Sequence, residues 1–368
     1  MYLSKSSKPV NIRNVKNSAA ADPEGCRTPE QHMKKNGKIT INDIAEMAGV
    51  SKTTVSFYLN GKTEKMSEDT RLKIGSLIRQ NNYSPNIAAR ILNAKQTHLI
   101  GVIIGDITNT FSNQIVKGIE ETARAKGYQM LIGNSSYNSA EEEGYVEKML
   151  MLGVDGFIIQ PTSQFKKISD KIAAEHKPLV FFDSKLYESS TCWVKTDNYE
   201  ATYHAIKECI RKGYRRFVMI GANPSLLSTR IERSSGFIDA LEESSLPYDS
   251  LELKNSPIDL ASVTAFVKKH MHPGEPLLVY VPNCWALPSV FTALQEYRSQ
   301  IPGQLGIIGF DNTEWASFSD PQVTTIVQPA YQEGETACSI LIDQIEKTCA
   351  LDQQKTLSCT VNWSGSTR

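Results

Sequence analysis

The sequence contains no apolar run close to the roughly 20 residues that a membrane-spanning helix requires, so nothing in it reads as a membrane segment. Its basic start, MYLSKSSKPVNIRNVKNSAAADPEG, is followed by no apolar stretch, and a secretory leader is not expected. The seven cysteines (Cys26, Cys192, Cys209, Cys284, Cys338, Cys349 and Cys359) are scattered, with no CxxC pair. Without a leader, reduced thiols in a cytoplasm are expected rather than disulfides or a zinc site. His270 and His272 bracket one methionine but have no further ligand types nearby, so they are read as a surface pair and no metal is expected. Phosphate loops are missing as well. The first apolar run leads into GDITNTF, not into GxGxxG or GxxxxGK[ST], and no GxSxG elbow occurs. Neither an enzyme nor a cofactor is expected.

An excess of charge of one sign is also absent, since 40 Lys and Arg balance 40 Asp and Glu. The balance is not local. Residues 34–96 hold eleven Lys or Arg against five Asp or Glu, and the rest of the chain is correspondingly acidic. Such a division suggests one part for a polyanion and another part for something else.

At 368 residues the chain is long enough for two or three domains. Residues 1–37 are polar, lack apolar periodicity and are expected to be a disordered tail. Residues 38–84 read as short helices. Asn42 is the expected cap of a helix over 43–48 with Ile44, Ala45 and Ala48 inward, and Gly49 breaks it. Ser51 caps a second helix, 52–59, that buries Val55. Asn60 and Gly61 stop that helix, and Ser67, Glu68 and Asp69 open a third whose inward residues are Leu72, Ile74, Leu77 and Ile78. From residue 99 the rhythm changes. Short apolar runs at 99–104, 129–132, 156–160 and 179–182 alternate with amphipathic helices at 113–126, 140–152 and 166–175. After Asp197 the alternation begins again, with runs at 216–220, 251–253, 277–281 and 305–309. The fold class that follows is an all-α headpiece plus an α/β core of two doubly wound parallel-sheet lobes. Ligands of such sheets bind at the carboxyl ends of strands, here in the cleft between the lobes.

The spacing of Ala45, Gly49 and Val55 in DIAEMAGVSKTTVSFYLN carries the functional reading. A helix-turn-helix needs a small residue where its helices meet, a residue tolerant of positive φ in the turn, and an apolar residue on the inner face of the second helix. That helix then presents Lys52, Thr53, Ser56 and Phe57 outward, where such side chains can meet base edges in a major groove. Ser51 and Thr54 are better placed for phosphates.

At these residues the chain resembles the lactose- and purine-repressor family, LacI/GalR, and it does so over residues 38–368. ITINDIAEMAGVSKTTVSFYLN and SEDTRLKIGSLIRQNNYSPNIAARIL carry the resemblance most densely. The resemblance implies a sequence-specific transcription regulator, expected to be a repressor. As a homodimer it would bind double-stranded, pseudo-palindromic operator DNA and answer to a small carbohydrate-like effector. The alternative is a regulator that answers to a protein partner. Residues 85–97 would be hinge helix and linker. Leu92 matches the residue that wedges into the minor groove, or else packs on the hinge of the second subunit, and Asn86 and Arg90 would touch phosphate or groove edges. Lys52, Thr53 and Phe57 match the family's operator-choosing triplet. A phenyl ring there cannot hydrogen-bond a base but can pack on a thymine methyl.

The resemblance makes residues 98–368 a periplasmic-binding-protein-like core. Its first lobe is expected over 98–197 and 329–350, and its second over 198–328 and 351–368. Residues 324–329 would be a crossover between lobes, and a last strand near 357–362 would join the second. Several cleft residues follow residue by residue. Phe111 and Ser112 lie in the loop after the first strand, and Asp183 follows the fourth. Arg233 in TRIERSSGF matches the family's effector arginine, with Thr229 one turn before it. Asp311 in IIGFDN matches the cleft aspartate. Arg233 and Asp311 either hold a sugar or sugar acid or pair with each other across an empty cleft. Where the family often has an acid, this chain reads PNCWA, and Trp285 either walls the pocket or belongs to the core.

Overall fold

The computed structural model describes residues 39–59, 61–84, 96–186, 191–254, 257–311, 313–348 and 353–368. They fall into two compact units, 39–84 and 96–368.

In the first unit, Thr40 and Asp43 cap each other. The Thr40 N–H donates to Asp43 Oδ2 at 2.8 Å, and the Asp43 N–H donates to Thr40 Oγ1 at 3.4 Å. This reciprocal box starts α1 (Ile41–Ala48) at Thr40, not at the expected Asn42, which becomes a first-turn residue. Gly49 ends α1 with φ at +69°, a left-handed backbone that glycine adopts without strain. α2 (Lys52–Leu59) follows, with the Thr54 N–H donating to Ser51 Oγ at 3.1 Å. α3 (Glu68–Gln80) starts under a Ser67 cap. Ile44, Ala45, Ala48, Val55 and Ile74 form the buried centre, with Tyr58, Leu77 and Ile78 half-buried around it. Leu72, expected inward, is 58% exposed. Two positions along a helix turn a side chain by about 200°. Leu72 and Ile74 therefore cannot share one face, and Ile74 takes the one turned to the core.

The second unit alternates strand and helix: β1 (Leu99–Ile104), α4 (Thr110–Ala125), β2 (Gln129–Asn134), α5 (Ser139–Met151), β3 (Gly156–Ile159), α6 (Lys166–Ala174), β4 (Leu179–Phe182) and β5 (Cys192–Thr196). It continues through α7 (Asn198–Arg211), β6 (Arg216–Gly221), α8 (Ser228–Glu243), β7 (Tyr248–Glu252), α9 (Leu260–His270), β8 (Leu277–Val281), α10 (Leu287–Ala293), β9 (Leu305–Phe310), α11 (Thr313–Phe318) and β10 (Thr324–Val327). The helix α12 (Ala330–Glu346) and the strands β11 (Gln354–Leu357) and β12 (Thr360–Asn362) complete it. Two six-stranded sheets result, ordered β11-β5-β4-β3-β1-β2 and β12-β10-β9-β8-β6-β7. All pairings are parallel except β12 against β10. Sheets covered by helices on both faces need continuous apolar strands, and β3, β4, β8 and β9 bury every residue.

On the first sheet, α4 and α12 cross backbone to backbone. A Cβ on Gly118 would lie 2.2 Å from the Tyr331 carbonyl oxygen, and one on Gly334 would lie 2.1 Å from that of Ile115. Only glycine permits that approach.

Two expectations about chain crossings are corrected. Residues 324–327 are a strand of the second sheet, β10, so the crossing there narrows to Gln328 and Pro329. The expected last strand divides in two: β11 joins β5 of the first sheet, and β12 joins β10 of the second. The chain therefore passes between lobes three times, and hydrogen bonds tie the passages together. The Thr196 hydroxyl donates to Gln328 Oε1 at 2.7 Å, and the Cys359 N–H donates to Asp197 Oδ1 at 2.7 Å.

Candidate functional site

Parallel strands aim their carboxyl ends at one cleft. Gln160, Asp183, Asp311 and Gln328 stand directly after β3, β4, β9 and β10, and all four line one tight cavity of about 30 Å³. Asp183 and Asp311 both have left-handed backbones, with φ of +59° and +49°, which turns the chain sharply at the strand end. Asp tolerates that region better than most residues.

Arg233 enters the cavity from α8. Its Nε donates to Asn198 Oδ1 and its Nη1 to the Pro282 carbonyl oxygen, both at 2.7 Å, while the guanidinium lies 3.8 Å from the Phe310 ring centroid. Arg233 is thus held by two neutral acceptors and a ring, and Asp311 is held by other donors. The Gln328 N–H and side-chain Nε2 donate to the two carboxylate oxygens of Asp311 at 2.9 and 2.6 Å. Burial pushes the Asp311 carboxyl up to about 6, with Arg233 as the strongest opposing influence. The expected alternative, a direct pair between Arg233 and Asp311, is not what occupies either group.

Across the cleft, Gln160 Nε2 donates to Asp183 Oδ2 at 2.6 Å, and the Asp183 N–H donates to Glu333 Oε1 at 2.6 Å. Burial raises the Asp183 carboxyl, opposed first by Arg233. Glu333, on α12, is completely buried, and its Oε2 finds no hydrogen-bond partner among the described residues. Burial, with Asp183 beside it, drives Glu333 well above the ordinary carboxylate range. Thr229 Oγ1 lies 3.5 Å from Ser184 Oγ of the first lobe.

The structure brings Phe111, Asp183, Thr229, Arg233, Trp285 and Asp311 to this one cavity. Trp285 satisfies both of its expected readings, since it lines the cavity and packs against the second-lobe core. Ser112 does not reach the cavity lining. Asn109 caps α4 by accepting the Phe111 N–H at 3.0 Å, so the helix begins at Thr110. Phe111 and Ser112 therefore lie in its first turn instead of a loop, and Ser112 is buried with its hydroxyl unpartnered among the described residues. Sequence reasoning missed Tyr137, Gln160, Arg230 and Gln328. Arg230 could have been found, because it stands three residues before Arg233 and shares its helix face. Tyr137 has no local signal; its position follows from a left-handed backbone, φ +56°, after β2.

In the first unit, Ser51, Lys52 and Thr53 are exposed, Thr54, Ser56 and Phe57 are half-buried, and Val55 is the fully buried residue of α2. Ser51 Oγ and Thr54 Oγ1 are 2.9 Å apart, and Lys65 Nζ lies 5.1 Å from the Phe57 ring centroid. Asn86, Arg90 and Leu92 lie outside the described residues. Among the described residues no cluster of His, Cys, Asp or Glu could hold a metal ion, and no helix is long and apolar enough to cross a membrane.

Known proteins share both units. Residues 40–86 match the family model for bacterial regulatory proteins of the lacI family, and residues 206–367 match a periplasmic binding protein-like domain. The probable HTH-type transcriptional regulator EndR of Paenibacillus polymyxa is 31% identical over 310 residues, 84% of this chain and 91% of that protein. The lac repressor dimer, solved bound to operator and the anti-inducer ONPF, has the same fold: TM-score 0.78 and 22% identity, covering 90% of this chain and 99% of that one. A periplasmic binding protein/LacI transcriptional regulator from Alkaliphilus metalliredigens QYMF, complexed with D-xylulofuranose, matches with TM-score 0.63 and 24% identity, covering 74% of this chain and 99% of that one.

Proposed function

The chain belongs to the LacI family of DNA-binding transcriptional regulators with a periplasmic-binding-protein-like ligand domain, and on that premise we propose that it is a repressor whose operator affinity is set by a small carbohydrate-like effector in the cleft. The observation that carries this reading is the attachment of Arg233 and Asp311 to Asn198 and Gln328, two residues at the passages between lobes. A ligand that draws on Arg233 and Asp311 pulls on the segments about which the lobes turn. Asp183, Asp311 and Thr229 supply acceptors for sugar hydroxyls, and Phe111 and Trp285 supply flat apolar surface for a sugar ring.

The same reading assigns DNA contact to the 38–84 headpiece. Exposed Lys52 and Thr53 are assigned to base edges, Ser51 and Thr54 to phosphates, and the half-buried Phe57 to a thymine methyl. Two headpieces on a homodimer call for a pseudo-palindromic site, with residues 85–97 as the hinge through which Asn86, Arg90 and Leu92 meet the DNA.

The test starts from pseudo-palindromic duplexes selected for binding out of a randomised pool. Affinity is then measured by fluorescence anisotropy while neutral and acidic monosaccharides are added. An effector is expected to change DNA affinity by about 5- to 150-fold. Arg233→Ala should abolish that response and leave ligand-free DNA binding intact. A response to sugar that survives in Arg233→Ala would remove the cleft from the mechanism.

A further inference from the structure

We propose that the effector carries an acidic group as well as hydroxyls, and that Arg230 is the residue that selects it. This deepens the effector reading above and rests on it.

Arg230 and Arg233 are one turn apart on α8, so two guanidinium groups enter the same cavity. Among the described residues neither meets a carboxylate at hydrogen-bond distance. Arg233 is occupied by an amide oxygen and a backbone carbonyl. Arg230 has five N–H donors to place. Among the described residues one of them, on Nη1, reaches the Asn223 carbonyl oxygen at a long 3.3 Å. Its guanidinium also lies 5.4 Å from the ring centroid of Tyr137, a first-lobe residue. Tyr137 positions that group without using its N–H edges, which leaves a planar fork open to a ligand.

The local electrostatics point the same way. α8 has no acidic residue in its first turn, yet it holds Arg230 there, at the positive end of the helix dipole. A cation in that place is unfavourable unless an anion joins it. The fixed acids nearby do not fill the role. Asp183 and Asp311 direct their oxygens to Gln160 and Gln328, and Glu333 accepts the Asp183 N–H. Burial raises all three carboxyls, and Arg233 opposes the rise in each. Glu232, the acid between the two arginines, is taken by Lys195 at 2.7 Å. One wall of the cavity therefore carries guanidinium N–H edges that no carboxylate takes up among the described residues, and the other carries hydroxyl acceptors. A carboxylate meets a guanidinium fork bidentately, so a sugar acid fits this wall, and a phosphoryl sugar shares the same chemistry.

The test is calorimetric titration of the full chain at low ionic strength with D-glucose and D-galactose, and with D-gluconate, D-glucuronate, D-galacturonate and D-glucose 6-phosphate. An acidic sugar is expected to bind at least about 10-fold tighter than its neutral parent. Arg230→Ala should weaken the acidic sugar on the order of 10- to 100-fold and the neutral parent several-fold less. Arg230→Lys should keep part of the preference, because it restores charge without the fork. Matching thermal transitions of the three proteins establish that the variants fold. Tightest binding of the 6-phosphate supports the proposal and identifies the acid as phosphoryl. A neutral sugar that binds more tightly than its acids overturns acid selection while leaving a sugar effector in place. Acid binding that ignores Arg230→Ala overturns the role of Arg230. If none of the six compounds binds, the effector reading falls, and this one falls with it.

Discussion

The headpiece and the two-lobed core hold the side chains proposed for DNA and effector contact in opposite ways. In the headpiece they ride on α2, a helix anchored by one fully buried residue, Val55, and Ser51, Lys52 and Thr53 stand in solvent. In the core they are buried. Thr229, Asp183, Arg233 and Asp311 are each 7% exposed or less, and the last three are fixed by hydrogen bonds of 2.6–2.9 Å. A surface that must meet a duplex has to stay open, and its partners arrive with the DNA. A cleft that must discriminate among small polar molecules needs its groups oriented beforehand, which requires a much larger surrounding core.

Three perturbations test that contrast, from the strongest to the mildest. Gly334→Val places side-chain atoms into the Ile115 backbone at the α4–α12 crossing. It is expected to cost the core about 3 kcal/mol, seen as an earlier core transition in urea with the headpiece unaffected. Full tolerance would show that this crossing is looser than its geometry.

The second perturbation is pH. Asp311 has a pKa of about 6 in the fold against 3.8 for an ordinary carboxyl. A raised carboxyl favours the fold while protonated, so the stabilisation is complete below about pH 4 and is lost as pH rises through 6. The difference amounts to at most about 3 kcal/mol. Asp183 and Glu333 are shifted in the same direction. Asp311→Asn should flatten part of the fall in core stability between pH 4 and pH 6.5, read as the slope of melting temperature against pH. An unchanged slope would mean that Asp311 titrates normally.

The third is Val55→Ala in the headpiece. Two buried methyl groups disappear from the smallest core in the molecule, at an expected cost of about 2 kcal/mol. Because small domains have little stability in reserve, amide exchange should rise throughout residues 39–84 and remain at wild-type levels in the lobes. Equal protection of the headpiece in both proteins would show that α2 is held by more than Val55.

Much of this architecture could be read from residue order, and the reasons differ by element. The strands β1, β3, β4, β8 and β9 announce themselves as apolar runs between helices, because both faces of a covered sheet exclude water. β11 and β12 do not. QKTL and TVN are short and polar, and their sheets are chosen by pairing with strands more than thirty residues away in the chain. Thr40 prevailed over Asn42 as a cap because Asp43 completes its box, a reciprocal effect that single-residue preference does not capture. In the cleft, Arg233, Asp183 and Asp311 follow from family resemblance and strand ends. Gln328, Tyr137 and Gln160 become visible only when separate segments meet. Ser112 fails for a local reason: a cap at Asn109 wound its stretch into helix and turned it inward.

The triple passage between lobes has a mechanical consequence. A single linker could twist freely, but three chain segments cross-braced by Thr196 with Gln328 and by Asp197 with Cys359 resist twisting and leave one easy motion, a flexing about the ribbon they form. The same ribbon carries the anchors of Arg233 and Asp311. A small molecule gripped by Arg233 and Asp311, as proposed, would therefore load the same ribbon about which the two jaws could swing.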